Sequence, residues 1–219
     1  TVVQDGETRD DNNERSFAIQ IVDDQSHVML VEGEARWEFR FIDNAFSRDE
    51  RIDLQQVVFD QPNIGVLPTG FFPKRLQLPA SPQDVAESTL AELDLLVIGD
   101  VSPSDVTGNS WKVIDEFVRE QGGTLVLLAG KNQFPSRHGS TELRQMLPVT
   151  NLREINLTRA EGESSPVDRG FRLQLTPDAD RHAMFQFDTD IFENRRIWSQ
   201  LPGHLWGLSG TARPGATVL

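Results

Sequence analysis

Cysteine is absent from all 219 residues, which removes thiol nucleophiles, thiolate metal sites and disulfides together. Basic residues are scarce: 21 Lys and Arg stand against 34 Asp and Glu, a net charge of −13. A surface of that sign repels phosphate backbones and anionic headgroups, so nucleic acid and acidic membranes are not expected partners. The acidity serves solubility or, alternatively, forms a docking face. Long apolar runs are missing, and none approaches the ~20 residues that span a bilayer. No leader with a basic start, an apolar middle and a small-residue cleavage site opens the chain. No Gly-x-Gly-x-x-Gly follows the first strand signal, and there is no P-loop. His27, His138, His182 and His204 stand in no His-x-x-x-His or similar spacing. No metal and no cofactor are therefore expected.

What remains is a chain long enough for one large domain with an appendage. Its hydrophobic fraction of 37% is low for a compact globule, so part of it should be solvated, extended or packed on something else. Residues 1–16 are polar, with Asp10-Asp11-Asn12-Asn13-Glu14 as an acidic run that lacks the frame of a calcium loop. Phe17, Ile19 and Ile21 then alternate with Ser16, Ala18 and Gln20, the period of a half-buried strand. The chain opens on Thr1 and closes on Ala216-Thr217-Val218-Leu219, as expected of a piece of a longer protein whose last residues begin a strand.

From residue 28 the texture changes. Val28-Met29-Leu30-Val31 is a continuous apolar run, as in strands covered on both faces. Residues 35–48 predict a helix with Trp37, Phe41 and Ala45 on one face beside Ile42 and Phe46. Residues 52–60 predict a second strand, and 61–84 a long loop rich in Pro, Gly and Phe. Residues 93–100 predict a third strand. Ser110 is expected to cap a helix bearing Trp111, Ile114, Phe117 and Val118, which Gly122-Gly123 ends. Residues 124–130 predict a fourth strand. This alternation predicts a three-layer α/β fold with a mostly parallel sheet, flavodoxin-like or amidotransferase-like. Beyond residue 150 the signals thin into a loop-rich part. Phe171, Leu173 and Leu175 predict one strand, Ala183–Phe187 another strand or a short buried segment, and Ile197-Trp198 and Leu205-Trp206 anchors.

Ligands of open parallel sheets bind at the carboxyl ends of the strands. That rule places Glu32, Gly33, Asp60, Gly99, Asp100, Ala129, Gly130 and Lys131 along one rim, with His138 in the loop 131–140 above it. The loop also carries Arg137, Ser136 and Ser140, and would hold an anion or simply be solvated. The glycines at the strand ends allow close backbone approach or merely turn the chain. His182 reads as a turn residue. Asp188 and Asp190 could be paired carboxylates or solvated loop acids. Gly207-Leu208-Ser209-Gly210 falls short of the Gly-x-Ser-x-Gly elbow.

Val28–Phe41 (Val-Met-Leu-Val-Glu-Gly-Glu-Ala-Arg-Trp-Glu-Phe-Arg-Phe), Asp94–Asp100 and Phe117–Gly130 resemble class I glutamine amidotransferase-like domains of large bacterial membrane proteins. The resemblance spans about residues 25–150. It implies a domain outside the cytoplasmic membrane, on the periplasmic side, beside von Willebrand factor A-like or immunoglobulin-like modules. Residues 1–24 would then be an arm, or the last strand of a preceding immunoglobulin-like domain, and 25–219 the amidotransferase-like domain. Catalytic members carry a cysteine just after the fourth strand, which corresponds to Ala129–Lys131, and a His-x-Glu pair near the C-terminus. Neither is present here. An oxyanion-binding backbone near Gly99 would stabilise a charge that nothing generates. The resemblance therefore implies a non-catalytic domain that senses a ligand or binds protein, or other domains of the same longer chain, through the rim and the loops 61–84 and 131–140. The alternative is a hydrolase or amidotransferase-like enzyme with a cysteine-free site using Asp60, Asp100 or His138 with water.

Overall fold

The computed structural model describes residues 25–61, 71–157 and 170–219. The strand expected over Phe17–Val22 lies outside them, as do residues 62–70 of the expected loop 61–84. The apolar run after residue 27 forms β1 (Ser26–Glu34), buried from Val28 to Gly33. It lies between β2 (Ile52–Asp60) and β3 (Leu95–Ile98), and β4 (Thr124–Leu127) closes the far edge. All three pairings are parallel, in the order β2-β1-β3-β4.

Neighbouring residues of a strand point to opposite faces, and here both faces are covered. Leu30, Val58 and Val97 pack with Phe39 of α1 (Trp37–Phe46). Met29, Val31, Val57, Leu96 and Ile98 pack with Trp111, Ile114 and Phe117 of α2 (Gly108–Glu120). The result is the three-layer, flavodoxin-like α/β arrangement. The chain leaves β1 towards one edge through α1 and leaves β3 towards the other through α2. The order therefore reverses between β1 and β3, a topological switch point.

Two expectations shift in detail. The buried face of α1 is Phe39 with Ile42 and Phe46, while Trp37 and Phe41 point outward. The helix has an apolar stripe on each side, so periodicity alone does not choose between them. Arg36, just before the first turn, is held by the buried Glu32, and that pairing sets the rotation. The cap of α2 is Thr107 rather than Ser110. The Ser110 N–H donates to Thr107 Oγ1 at 3.4 Å and the Thr107 N–H to Ser110 Oγ at 3.2 Å, a reciprocal capping box. Gly122 ends the helix as expected, at φ +75°, a conformation that a Cβ disfavours.

Beyond α3 (Thr141–Met146) the parallel sheet stops. β5 (Val149–Asn156) pairs antiparallel with β6 (Trp206–Ala212), separated in sequence by α4 (Ile191–Gln200). Neither strand was legible in the sequence. The strand expected at Phe171–Leu175 is instead a single bridge from Phe171 to His204, with Leu173 exposed. Ala183–Phe185 is a 3-10 turn capped by the His182 ring, and Val218-Leu219 is exposed and outside any strand. No helix of the described residues is long and apolar enough to cross a membrane.

Candidate functional site

The carboxyl ends of the strands form one rim, as expected, with the switch point between β1 and β3 on it, but most of the residues foreseen there hold one another. Glu32 closes the buried part of β1 with 0% exposure. Its Oε1 accepts the Asp100 N–H at 2.5 Å and the Gly33 N–H at 3.1 Å, and Arg36 spans both oxygens at 3.3 and 2.9 Å. Burial pushes this carboxyl above its ordinary value, against the pull of Arg36 and the two backbone donors. Gly99 is glycine for space: a Cβ there would overlap the Glu32 carboxylate. Its N–H donates to Val31 O at 2.8 Å. The backbone donors near Gly99 that an oxyanion would need are thus already taken.

Asp100 repeats the pattern one layer out. Its Oδ1 accepts the Gln133 N–H at 2.7 Å and the Phe134 N–H at 2.6 Å, and its Oδ2 accepts the Asn132 N–H at 2.9 Å. Three successive amides aimed at one point form an anion-binding nest, and the protein fills it with its own carboxylate. A Cβ at Gly130 would overlap the Asp100 side chain, and one at Gly33 the Asp100 carbonyl. The turn after β4, where the resemblance puts a nucleophile, is therefore an internal clasp between β3 and β4.

His138 does not hang over the rim. It is buried beside Trp111 and Phe134. Its Nε2 meets Val101 O at 2.9 Å, and its Nδ1 accepts the Trp111 Nε1–H at 3.3 Å. A carbonyl only accepts and an indole N–H only donates, so this pairing assigns the Nε2–H tautomer and leaves neither nitrogen for a substrate. The loop 131–140 is only partly solvated: Phe134, Pro135 and His138 are buried, while Lys131, Ser136 and Arg137 are exposed. Ser140 caps α3. Asp60, Ala129 and Lys131 keep exposed positions.

A polar crevice of about 260 Å³ remains, lined by Gly33, Glu34, Arg36, Asp60, Asp100, Ser102, Ser104, Asp105, Asn132 and Gln133. Of the residues foreseen for the rim, Gly33, Asp60 and Asp100 line it. Asn132 and Gln133 come from the loop 131–140 that was expected to take part, while Glu34, Arg36, Ser102, Ser104 and Asp105 were not foreseen. A signal for Ser102-Pro103-Ser104-Asp105 existed, since it begins one residue after the expected strand 93–100, which ends in Gly-Asp. The Ser102 Oγ–H donates to Asp105 Oδ2 at 2.7 Å, which ties this lip.

A larger cavity of about 570 Å³ lies between β4, α2 and the β5–β6 strand pair, and Ala129 of the foreseen rim lines it. Its walls are mainly apolar, with Leu125, Leu127, Leu147 and Leu152, and its Asp115 and Arg119 bond to each other. Its one hydroxyl, Ser209, donates to Arg153 O at 3.4 Å and has no base beside it, so the polar crevice is the better candidate. Asp188 and Asp190 serve structure: Asp190 caps α4 and Asp188 accepts the Asp190 N–H at 2.8 Å. Ser209 lies within β6, not on an elbow. No group of three or more His, Cys, Asp or Glu among the described residues could hold a metal ion.

Compared with protein-family models, with curated proteins and with solved structures, the chain matches none.

Proposed function

We propose that the chain is a non-catalytic, amidotransferase-like domain of a larger membrane-anchored protein, on the extracytoplasmic side. Its strand-end crevice binds a protein partner, a neighbouring domain of the same longer chain or a sensed ligand. The observation that carries this reading is the nest after β4. In an acyl-transfer enzyme this turn presents a nucleophile and keeps amides free for a developing oxyanion. Here its amides clasp Asp100, and no residue from Ala129 to Lys131 supplies a thiol or hydroxyl. A cysteine-free hydrolase is the competing reading, and the raised carboxyl of Glu32 speaks for it. That carboxyl does not line the crevice, however, and its oxygens are engaged by Arg36 and two amides.

The test is release of ammonia and glutamate from glutamine by highly purified protein, run beside Lys131→Ala, which changes an exposed side chain and leaves the clasp intact. Turnover at the buffer rate is expected for both. Turnover by the unmodified chain that disappears in Lys131→Ala would overturn the proposal and establish cysteine-free chemistry at this rim.

A further inference from the structure

Two exposed apolar patches lie on separate elements and carry opposite charge. On α1 the outward stripe holds Trp37, 69% exposed, and Phe41, 66% exposed, stacked at 6.1 Å. Arg40 sits 5.7 Å over the Trp37 ring, and Arg48 follows just past the helix end. Glu38, the acid of the first turn, lies 3.8 Å from Arg36. The second patch surrounds the start of α4. Met184 is 77% and Phe192 78% exposed, with Phe187 and Ile191 also exposed. Asp188 and Asp190 stand among them, while Glu193 is answered by its own partner Arg196.

Water does not favour either patch, and exposed aromatic clusters with a polar surround mark association sites. Aromatics and arginine are also the side chains that anchor protein interfaces. The first patch is cationic at its centre in a chain of net charge −13, and the second is anionic. We propose that the occupant of each is the other patch on a second copy of this chain, so that the α1 stripe of one copy seats on the α4 patch of the next. Charge complementarity sets the orientation. Two different surfaces meet, so the contact is head-to-tail and extends into open chains rather than closing as a two-fold dimer. This inference is independent of the crevice reading and survives if that reading fails.

The experiment follows the mass in solution of the unmodified chain and two surface variants, Arg40→Glu with Phe41→Glu, and Met184→Lys with Phe192→Lys. Light scattering after gel filtration is run at concentrations up to about 1 mM, above the dissociation constants of most weak specific contacts. The unmodified chain is expected to grow in mass with concentration, less steeply at high salt. Each variant alone should stay at the mass of one copy. Mixing the two variants leaves one intact α1 stripe and one intact α4 patch, and should give a species of two copies that grows no further. An unmodified chain that stays monomeric throughout would overturn the proposal. So would growth that persists in both variants, or variants that fail to pair on mixing.

Discussion

The stretch from β1 to α3 and the stretch from β5 to the C-terminus are held together by different physics. Among the described residues every buried apolar side chain except Ala179 lies between Val28 and Leu147. There three helices and a four-stranded sheet exclude water from continuous apolar runs, each fully buried Leu, Ile or Phe contributing about 1.5–3 kcal/mol. The later stretch relies on polar clasps. Buried Asn194 accepts the Phe187 N–H at 2.8 Å and donates to Phe185 O at 3.1 Å, Asp180 pairs with Arg195, and the Trp198 Nε1–H donates to Phe185 O at 2.9 Å. Hydrogen bonds exchanged against water are worth about 1 kcal/mol each. The second stretch should therefore open locally at lower free energy than the first.

The sharpest test of that contrast is Trp111→Ala against Leu173→Ala. Trp111 is fully buried between α2, Phe134 and His138, and its truncation should cost about 3–5 kcal/mol in urea unfolding. Leu173 is exposed, so its loss should change stability by less than about 0.5 kcal/mol. A cost at Leu173 near that at Trp111 would mean the later stretch has a core of its own. Next in size is Asn194→Ala, which strands the groups it joins and should cost about 1–3 kcal/mol. Hydrogen exchange should show the loss confined to the neighbourhood of α4, with β1 and β3 as protected as before. Smaller still is Gly122→Ala. A Cβ there meets nothing, so only the left-handed backbone opposes it, at about 1 kcal/mol.

The last test is one of slope. Glu32 is raised by burial in the folded state, so between its ordinary value of 4.5 and its folded value the native chain binds more protons than the unfolded one. Its contribution to stability falls as pH rises through that window. Asp180 is lowered by its bond to Arg195, so the unfolded chain binds more protons. Its contribution is present above 3.8 and is lost as pH falls through the folded value. Urea titrations at stepped pH should show the acid loss shrink in Asp180→Asn. The downward slope above pH 4.5 should shrink in Glu32→Gln. Equal slopes in the variants and the unmodified chain would count against both assignments.

The sheet half was legible because burial on both faces demands continuous apolar strands, and Val28–Val31, Leu95–Ile98 and Thr124–Leu127 announce themselves that way. The antiparallel pair of β5 and β6 was not. Its residues are mostly exposed on both faces, so no alternation is imposed, and its partner strands lie some fifty residues apart. The site divides similarly. Its location at the carboxyl ends of the strands followed from the parallel alternation, and Gly33, Asp60 and Asp100 were foreseen in the crevice wall; the switch point between β1 and β3 came only with the strand order of the folded sheet.

Absence of cysteine, the sign of the charge and the order of strands and helices from β1 to β4 were determined by the sequence alone, because composition and periodicity are local properties. That Glu32 and Asp100 face inward to bind amides, that His138 lies under the rim against Trp111, and that α1 turns Phe39 inward and Trp37 outward were decided only in three dimensions. Each depends on contacts between segments far apart in the chain, and a carboxylate reads the same in sequence whether its oxygens meet water or the backbone of the next strand's loop.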